Sequence, residues 1–180
     1  MSAPDFFRGE VFDVAPRLLG WRVVSELEGE LTEVELNEVE AYNQDDPASH
    51  SYRGLRPGNE VMFGLAGFLY VYRSYGIHWC ANVVCGPGGF GAAVLMRGGT
   101  AVTGHEVMMR RRGRVARLAQ GPGNLAQAMA ITGEHNGLDL FDPHSPVRLE
   151  SANRLVPSLA TPRIGISKAT DRLWRFVPLA

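Results

Sequence analysis

The chain has 180 residues, of which 45% are hydrophobic and 21% are charged, and its formal net charge is −1. This length suits one domain with a single core, and the mixed composition excludes a disordered, highly charged chain. No apolar run approaches the roughly 20 residues that span a bilayer, and the N-terminus lacks a secretory signal pattern, so we expect a soluble cytoplasmic protein.

The N-terminal part of the chain predicts a helix followed by a β-hairpin. Residues 11–19 have a helical pattern that Gly20 ends, because glycine readily adopts the left-handed conformation found after helices. Residues 21–27 and 31–42 are strand-like and flank Glu28-Gly29-Glu30, which predicts a hairpin. Residues 43–60 form a polar loop that is long enough to be functional.

The middle of the chain and its tail predict further strands and two helices. Residues 68–73 and 77–85 predict two strands interrupted near 74–76, and a glycine-rich turn then leads to a third strand at 92–97. Residues 103–119 and 124–130 favour helices. The tail predicts three short strands, at 147–150, 162–167 and 173–177.

The strand predicted at 31–42 carries acidic residues in an unusual place. Strict alternation puts Val34, Leu36, Glu38, Glu40 and Tyr42 on one face. If the two aliphatic residues point into a core, the two acids emerge at its rim, where partial desolvation suits a carboxylate to general-base work. The alternative is a solvated edge strand whose acids guard against aggregation. The strand alone does not choose between the two glutamates.

An ordered set of motifs follows from this strand onward. It runs through EAY at 40–42, His50, LYVY at 69–72, Tyr75-Gly76, Asn82 and the arginine that closes AAVLMR at 92–97, and continues in GPGNLAQA at 121–128 and PRIGISKA at 162–169. In order and spacing, this set resembles the alkyladenine (3-methyladenine) DNA glycosylase family over most of the chain. The resemblance implies a single domain over 1–180 of mixed α/β (α+β) class, with a curved, largely antiparallel β-sheet and flanking helices.

The resemblance also implies a monofunctional DNA glycosylase of base excision repair. Such an enzyme flips out alkylated purines such as 3-methyladenine and 7-methylguanine, with deaminated or etheno purines as further candidates, and leaves an abasic site. Glu40 then corresponds to the catalytic glutamate that activates water, and Arg97 to an arginine beside that water. The expected partner is double-stranded DNA containing damaged purines, and the protein is expected to be a monomer.

The remaining site residues come from the same resemblance. Tyr42, His50 and Tyr72 correspond to the walls of the base pocket, where aromatic faces stack on an electron-deficient purine. Asn82 corresponds to a pocket amide that bonds a purine edge or rejects the exocyclic amine of guanine. Tyr75 corresponds to the residue that intercalates into DNA. Taken singly, each aromatic residue is an ordinary strand or loop residue, and only the joint pattern favours a pocket.

Almost all cations of the chain are arginines. The cluster of Arg110, Arg111 and Arg112 predicts a contact with the DNA backbone, although a solvated helix face with local ion pairs explains it equally well. Lys168 is the only lysine and lies far along the chain from the motifs, which disfavours strand cleavage through a Schiff base. Asn124 stands where the family often has a lysine.

No metal or nucleotide cofactor is indicated. His78, Cys80 and Cys85 lack a fourth ligand, and the glycine-rich stretch at 86–91 lacks the ending of a phosphate-binding loop. Two other functions remain open: a damaged-DNA binding protein without catalysis, and a small-ligand or RNA-binding domain whose tyrosines form a stacking platform.

Overall fold

The computed structural model describes residues 2–152 and 154–179, which form a mixed α/β structure around one curved antiparallel sheet. The eight strands, β1 to β8, are Arg22–Leu27, Glu30–Asn43, Leu69–Ser74, His78–Val84, Ala92–Thr103, Val147–Glu150, Ser158–Thr161 and Arg175–Pro178. The three α-helices, α1 to α3, are Val11–Arg17, His105–Arg112 and Pro122–Ala128. The predicted fold class is confirmed. Within the described ranges, no helix is long and apolar enough to cross a membrane.

Strand β2 is the centre of the sheet. The main strand order is β3-β4-β5-β2-β1-β6, and β8 joins β2 and β7. One edge of β2 pairs with β5 along most of its length, whereas the other edge is shared between β1, at residues 30–35, and β8, at Val39 and Glu40. The C-terminal tail therefore returns to the half of β2 that carries the acidic motif.

The predicted hairpin between β1 and β2 is confirmed. Glu28 and Gly29 form its two-residue turn, and both have positive φ angles, 59° and 72°. Two left-handed residues give a turn whose twist matches that of the flanking strands. This turn sets the register from Arg22 opposite Glu35 to Leu27 opposite Glu30.

The sheet has a different apolar cluster on each face. The main core packs against one face and includes buried residues of α1 and α3. The opposite face carries a smaller cluster of Met62, Tyr70, Val84 and Ala93, and the rings of Tyr42 and Tyr72 pack against it. Polar and aromatic side chains thus gather on the second face, away from the main core.

The prediction that one face of β2 carries both the aliphatic residues and the two acids is wrong. Asn37 in β2 and Arg97 in β5 have no partner in the ladder, because the register shifts on both sides of Glu38. Such bulges change which face the following residues occupy. Val34 and Leu36 before the bulge and Val39 and Ala41 after it all belong to the main core. Glu40 therefore lies on the opposite face.

Three other sequence predictions need correction. Strand β5 continues beyond 97 to Thr103, and the helix predicted at 103–119 is only α2, because Gly113, with φ of 62°, ends it. The strand predicted at 162–167 is a loop, since Pro162 has no N–H to donate and Gly165 has a φ of 78°. The strand in this region is Ser158–Thr161 instead, whereas the strands predicted at 147–150 and 173–177 are present as β6 and β8.

The arginine cluster of α2 divides into inward and outward side chains. Arg111 donates to the carboxylate of Glu28 and to the carbonyl oxygens of Leu27 and Ala128, which ties α2 to the β1–β2 turn and to α3. Its side chain is only 10% exposed, whereas that of Arg110 is 63% exposed and pairs with Glu30. Arg111 is therefore a structural link between elements.

We predict that Arg111→Ala lowers the free energy of unfolding by about 2 kcal/mol, because it removes charge-assisted hydrogen bonds from partly buried acceptors. Arg110→Ala is the matched control and should cost less than about 1 kcal/mol, as exposed ion pairs do. Urea denaturation of the two variants measures both values. Equal losses in the two variants would contradict the structural role of Arg111.

Candidate active site

The acidic side chain at the centre of the second face is Glu40, and it is fully buried. The hydroxyl of Tyr42 donates to its Oε2 at 2.8 Å, and the backbone N–H of Ile164 donates to its Oε1 at 2.8 Å. The Nε of Arg97 lies 3.5 Å from Oε1. Both carboxylate oxygens thus have a hydrogen-bond donor, and a positively charged side chain lies beside them, as a buried carboxylate requires.

A second carboxylate holds that positive charge in place. Glu38 Oε1 accepts a hydrogen bond from Arg97 Nε at 2.9 Å and another from Arg175 Nε at 2.5 Å. The bulge at Arg97 and the pairing of β8 with β2 bring these groups together. Glu38 therefore contacts two arginines, whereas Glu40 faces the aromatic side of the sheet.

Tyr42 remains a donor to Glu40 over a wide pH range. Burial raises the pKa of the Tyr42 hydroxyl well above its usual value, and the negative charge of Glu40 raises it further. The phenol therefore keeps its proton throughout the neutral and moderately alkaline range. This keeps the 2.8 Å hydrogen bond in place.

A cavity of about 710 Å³ opens beside these groups. Tyr70 and Tyr72 alternate onto the same face of β3, with ring centroids 5.8 Å apart. The ring of His50 meets Tyr72 edge to face at 4.2 Å, and its Nδ1 lies 3.2 Å from the hydroxyl of Tyr70. Asn59 anchors the loop that carries this histidine, since its Nδ2 donates to the His50 carbonyl oxygen. The walls on this side are aromatic.

Asn82 and Cys80 complete the wall that β4 contributes to the cavity. Asn82 is buried, and its Nδ2 donates to the carbonyl oxygens of Tyr70 at 3.0 Å and of Cys80 at 3.4 Å. No described residue donates to its Oδ1, so this oxygen is the polar atom that Asn82 offers to a bound molecule. The Cys80 thiol is free, and burial raises its pKa.

The turn between β3 and β4 presents Tyr75 at the cavity. Tyr75 and Gly76 have φ angles of 50° and 69°, and the N–H of Ile77 donates to the Ser74 carbonyl oxygen at 3.0 Å, which closes a tight hairpin turn. Tyr75 is 88% exposed, so its side chain projects into solvent. A large exposed ring on a tight turn is a suitable wedge for stacked bases.

Comparison with known proteins assigns a family to this arrangement. Residues 5–179 match the family model described as "Methylpurine-DNA glycosylase (MPG)". The chain belongs to the methylpurine-DNA glycosylase family. A relative from Mycolicibacterium fortuitum is 52% identical over 89% of this chain and 85% of its own length. One from Rhodopseudomonas palustris (strain ATCC BAA-98 / CGA009) is 47% identical over 95% and 81%. Both are named as 3-methyladenine DNA glycosylases.

Membership of the methylpurine-DNA glycosylase family confirms the resemblance seen in the sequence and the classification of the chain as a DNA glycosylase. Four of the residues expected at the site, Glu40, Tyr42, Tyr72 and Asn82, line one cavity. His50, Tyr75 and Arg97 line the same cavity. Their individual roles stay predictions.

Sequence reasoning missed several contributors to this cavity, among them Tyr70, Ile164 and Lys168. Tyr70 could have been found, because it lies two residues before Tyr72 and so shares its face of the strand. Ile164 contributes a backbone N–H, for which the side chain gives no signal. Lys168 lines the cavity although it is distant in sequence from the other site residues. The distance of Lys168 along the chain is therefore no argument against its taking part in the reaction.

Asn124, where the resemblance led us to expect a lysine, has a cation beside it in the structure. Arg112 donates to Asn124 Oδ1 at 2.5 Å, to the Gln127 side chain and to the Leu118 carbonyl oxygen. Asn124 itself lines the cavity. Arg112 thus brings a positive charge to the side of the cavity formed by α3.

Replacing Tyr72 with Ala should raise the pKa of His50. In the native protein, burial lowers this pKa below its usual value of 6.5. As the pH falls below 6.5, His50 gains its proton in the unfolded chain before it does so in the folded protein. The free energy of unfolding therefore decreases between pH 6.5 and the lower pKa of the folded state. Removing the Tyr72 ring readmits water to the imidazole, and an NMR titration should show the midpoint move towards 6.5.

Tyr52→Ala is the control for this titration, because Tyr52 belongs to the same loop as His50 and is half exposed. It should leave the His50 midpoint unchanged. A midpoint that stays equally low after Tyr72→Ala would mean that the aromatic wall does not control the ionisation of His50.

Proposed function

We propose that this protein is a monofunctional DNA glycosylase of base excision repair that removes alkylated purines from double-stranded DNA. It extrudes the damaged nucleotide, binds the base in the aromatic cavity and cleaves the N-glycosidic bond with a water activated by Glu40. The observation that carries this proposal is a fully buried carboxylate, held by two hydrogen-bond donors and an arginine beside an aromatic cavity. The proposed substrates are 3-methyladenine and 7-methylguanine, with hypoxanthine and ethenoadenine as further candidates.

The proposed reaction needs one proton acceptor and one water. As the water oxygen bonds to the anomeric carbon, the bond from that carbon to the base breaks and its electron pair leaves with the purine. Glu40 takes the proton of the water, and such a base contributes roughly 10²- to 10⁴-fold. A carboxylate has about four lone-pair sites, so its two hydrogen bonds leave room for the water. Arg97 orients this water and the carboxylate.

The cavity suits a flat, electron-deficient base. Its volume of about 710 Å³ is within the usual range for small-molecule sites. Tyr42, His50 and Tyr72 offer ring surfaces, and an alkylated purine with a positive charge gains a cation–π attraction there. The same positive charge makes the base a good leaving group. The Oδ1 of Asn82 discriminates among purine edges by hydrogen bonding or by repulsion.

Contacts outside the cavity fit duplex DNA. Tyr75 is proposed to enter the base stack and fill the gap left by the extruded nucleotide. The exposed side chain of Arg110 and the guanidinium of Arg112 beside Asn124 are the members of the arginine cluster best suited to phosphate contacts. Arg111 is less suited to such a contact, since its side chain is only 10% exposed and its guanidinium links α2 to the β1–β2 turn and to α3.

Hydrolysis is preferred to amine chemistry because the buried carboxylate is the group that this cavity holds in a fixed geometry. Lys168 is exposed in a loop that lines the cavity. A Schiff base through its amine would give strand cleavage and a borohydride-trapped adduct. Borohydride trapping and a test for strand cleavage separate the two reactions.

Glu40→Gln should lower the single-turnover rate of base release from a 3-methyladenine duplex by at least about 100-fold, because the amide cannot accept the proton of the water. Binding of the lesion duplex should change by no more than a few-fold, since the aromatic walls are intact. Borohydride added to the native reaction should trap no adduct, because hydrolysis forms no Schiff base.

The control is Glu35→Gln, which alters an acid of the same strand that pairs with Arg154 away from the cavity. It should retain the native rate. Native activity in Glu40→Gln would remove this residue from the mechanism. Lesion-selective binding by native protein without any base release would favour a damage-binding protein instead.

Tyr75→Ala should slow base release from duplex DNA by about tenfold or more, while single-stranded substrate is affected within about threefold. Unstacking a nucleotide costs a few kcal/mol only in the duplex, and each 1.4 kcal/mol is tenfold. Tyr52→Ala, which removes another exposed tyrosine, should affect neither substrate. Equal losses on both substrates would show that Tyr75 does not act as a wedge.

A further inference from the structure

A buried ion pair lies behind the site, outside the cavity. Arg163 and Asp46 have no exposed side-chain surface, and two guanidinium nitrogens of the arginine contact both carboxylate oxygens of the aspartate. Neither residue lines the cavity. The free energy lost when both charges leave water offsets much of the attraction within a buried ion pair. The presence of such a pair is therefore weak evidence that it stabilises the fold.

The same arginine connects three segments of the chain. Its Nη1 donates to the Ala41 carbonyl oxygen of β2 at 2.9 Å, and its Nη2 lies 3.5 Å from the Ala169 carbonyl oxygen. Asp46 belongs to the loop after β2. One guanidinium therefore fixes the end of β2, the loop that follows it and the two ends of segment 163–169.

Arg163 also lies next to both hydrogen-bond donors of Glu40, the Ile164 N–H and the Tyr42 hydroxyl. Ile164, whose N–H donates to Glu40 Oε1, is the next residue in the chain. The guanidinium lies over the ring of Tyr42, 4.6 Å from its centroid, and the Tyr42 hydroxyl donates to Glu40 Oε2. Each oxygen of the buried carboxylate thus depends on a donor that Arg163 supports.

We propose that Arg163, held by Asp46, is a positioning residue that aims the Ile164 N–H and the Tyr42 hydroxyl at the two oxygens of Glu40. This inference rests on the proposed role of Glu40 as the base. The planar fork of arginine suits the task, because it directs several N–H groups at fixed angles, which a lysine ammonium does not.

One nitrogen of Arg163 lacks a hydrogen-bond partner in the described part of the chain, which argues against a purely stabilising role for this residue. Within the described residues, Arg163 Nε is buried without a hydrogen-bond acceptor. A buried donor without a partner lowers stability. The other two guanidinium nitrogens donate to Ala41, Asp46 and Ala169. These contacts fix the segments that hold Glu40, a role that stability alone does not explain.

The decisive variant replaces the pair by apolar residues, Asp46→Leu with Arg163→Met. A buried ion pair exchanged for apolar side chains of similar volume is commonly neutral or stabilising, so the melting temperature should stay near the native value. The single-turnover rate of base release should still fall by about 10- to 100-fold, because small displacements of catalytic groups have effects of this size. Binding of the lesion duplex should change by no more than about threefold.

Two further variants make the test specific. Glu26→Leu with Arg148→Met removes an ion pair between β1 and β6, distant from the cavity lining, and should retain the native rate. Arg163→Lys keeps the charge opposite Asp46 but not the fork, and should restore part of the rate. If the apolar pair does not fold, Arg163→Lys alone decides the question.

The outcomes separate this proposal from the one on which it rests. A native rate in the folded apolar pair, or in Arg163→Lys when the apolar pair does not fold, would overturn the positioning role while Glu40→Gln stays inactive. Native activity in Glu40→Gln would instead overturn the base itself. A rate that falls only in proportion to the folded fraction would also overturn the positioning role, since it reports stability alone.

Discussion

The site depends on a single carboxylate that has no contact with bulk water. Burying Glu40 in this way is unfavourable unless its charge is compensated, and three groups from three different segments do so: Tyr42 on the same strand, Arg97 on β5 and the Ile164 N–H of the tail. The fold can therefore be understood as the means of bringing these segments together. Strand β2 carries the acid, β5 lies along one edge, and β8 returns the tail to the other edge.

The two bulges are the backbone feature that makes this possible. By shifting register at Asn37 and Arg97, they let Val34 and Leu36 enter the main core and still place Glu40 on the opposite face. On that face the alternation of β3 and β4 presents tyrosines and Asn82. Groups built on paired strands keep their geometry better than groups on loops, which suits the role proposed for Glu40.

Several features of the chain could be predicted from local sequence. The hairpin at Glu28-Gly29 follows from two turn residues between strand-like runs, and the short strand at 147–150 appears as predicted. The motif residues could be named as a set because their order and spacing resemble a known family. Strict alternation predicted the wrong face for Glu40, because the position of a bulge cannot be inferred from a single sequence. Helix propensity was misleading at 103–119, because residues with helical preference continue beyond Gly113, where the helix ends.

Long-range contributions to the site could not be predicted for a different reason. Ile164 acts through its backbone, and Arg163 and Asp46 meet from positions 117 residues apart. Separation in sequence also misled for Lys168, which lies in the same cavity as Glu40. Only the return of the tail along β2 brings these residues together, and local patterns carry no information about that return.

The central claim is that the buried carboxylate and its aromatic cavity serve hydrolysis at a damaged purine. The most direct measurement is base release by the native protein from duplexes carrying 3-methyladenine, 7-methylguanine, hypoxanthine or ethenoadenine, with an undamaged duplex as control. We expect free base and an equal amount of abasic sites from the two methylated duplexes, and none from the control. Tight, lesion-selective binding with no base released from any duplex would contradict it.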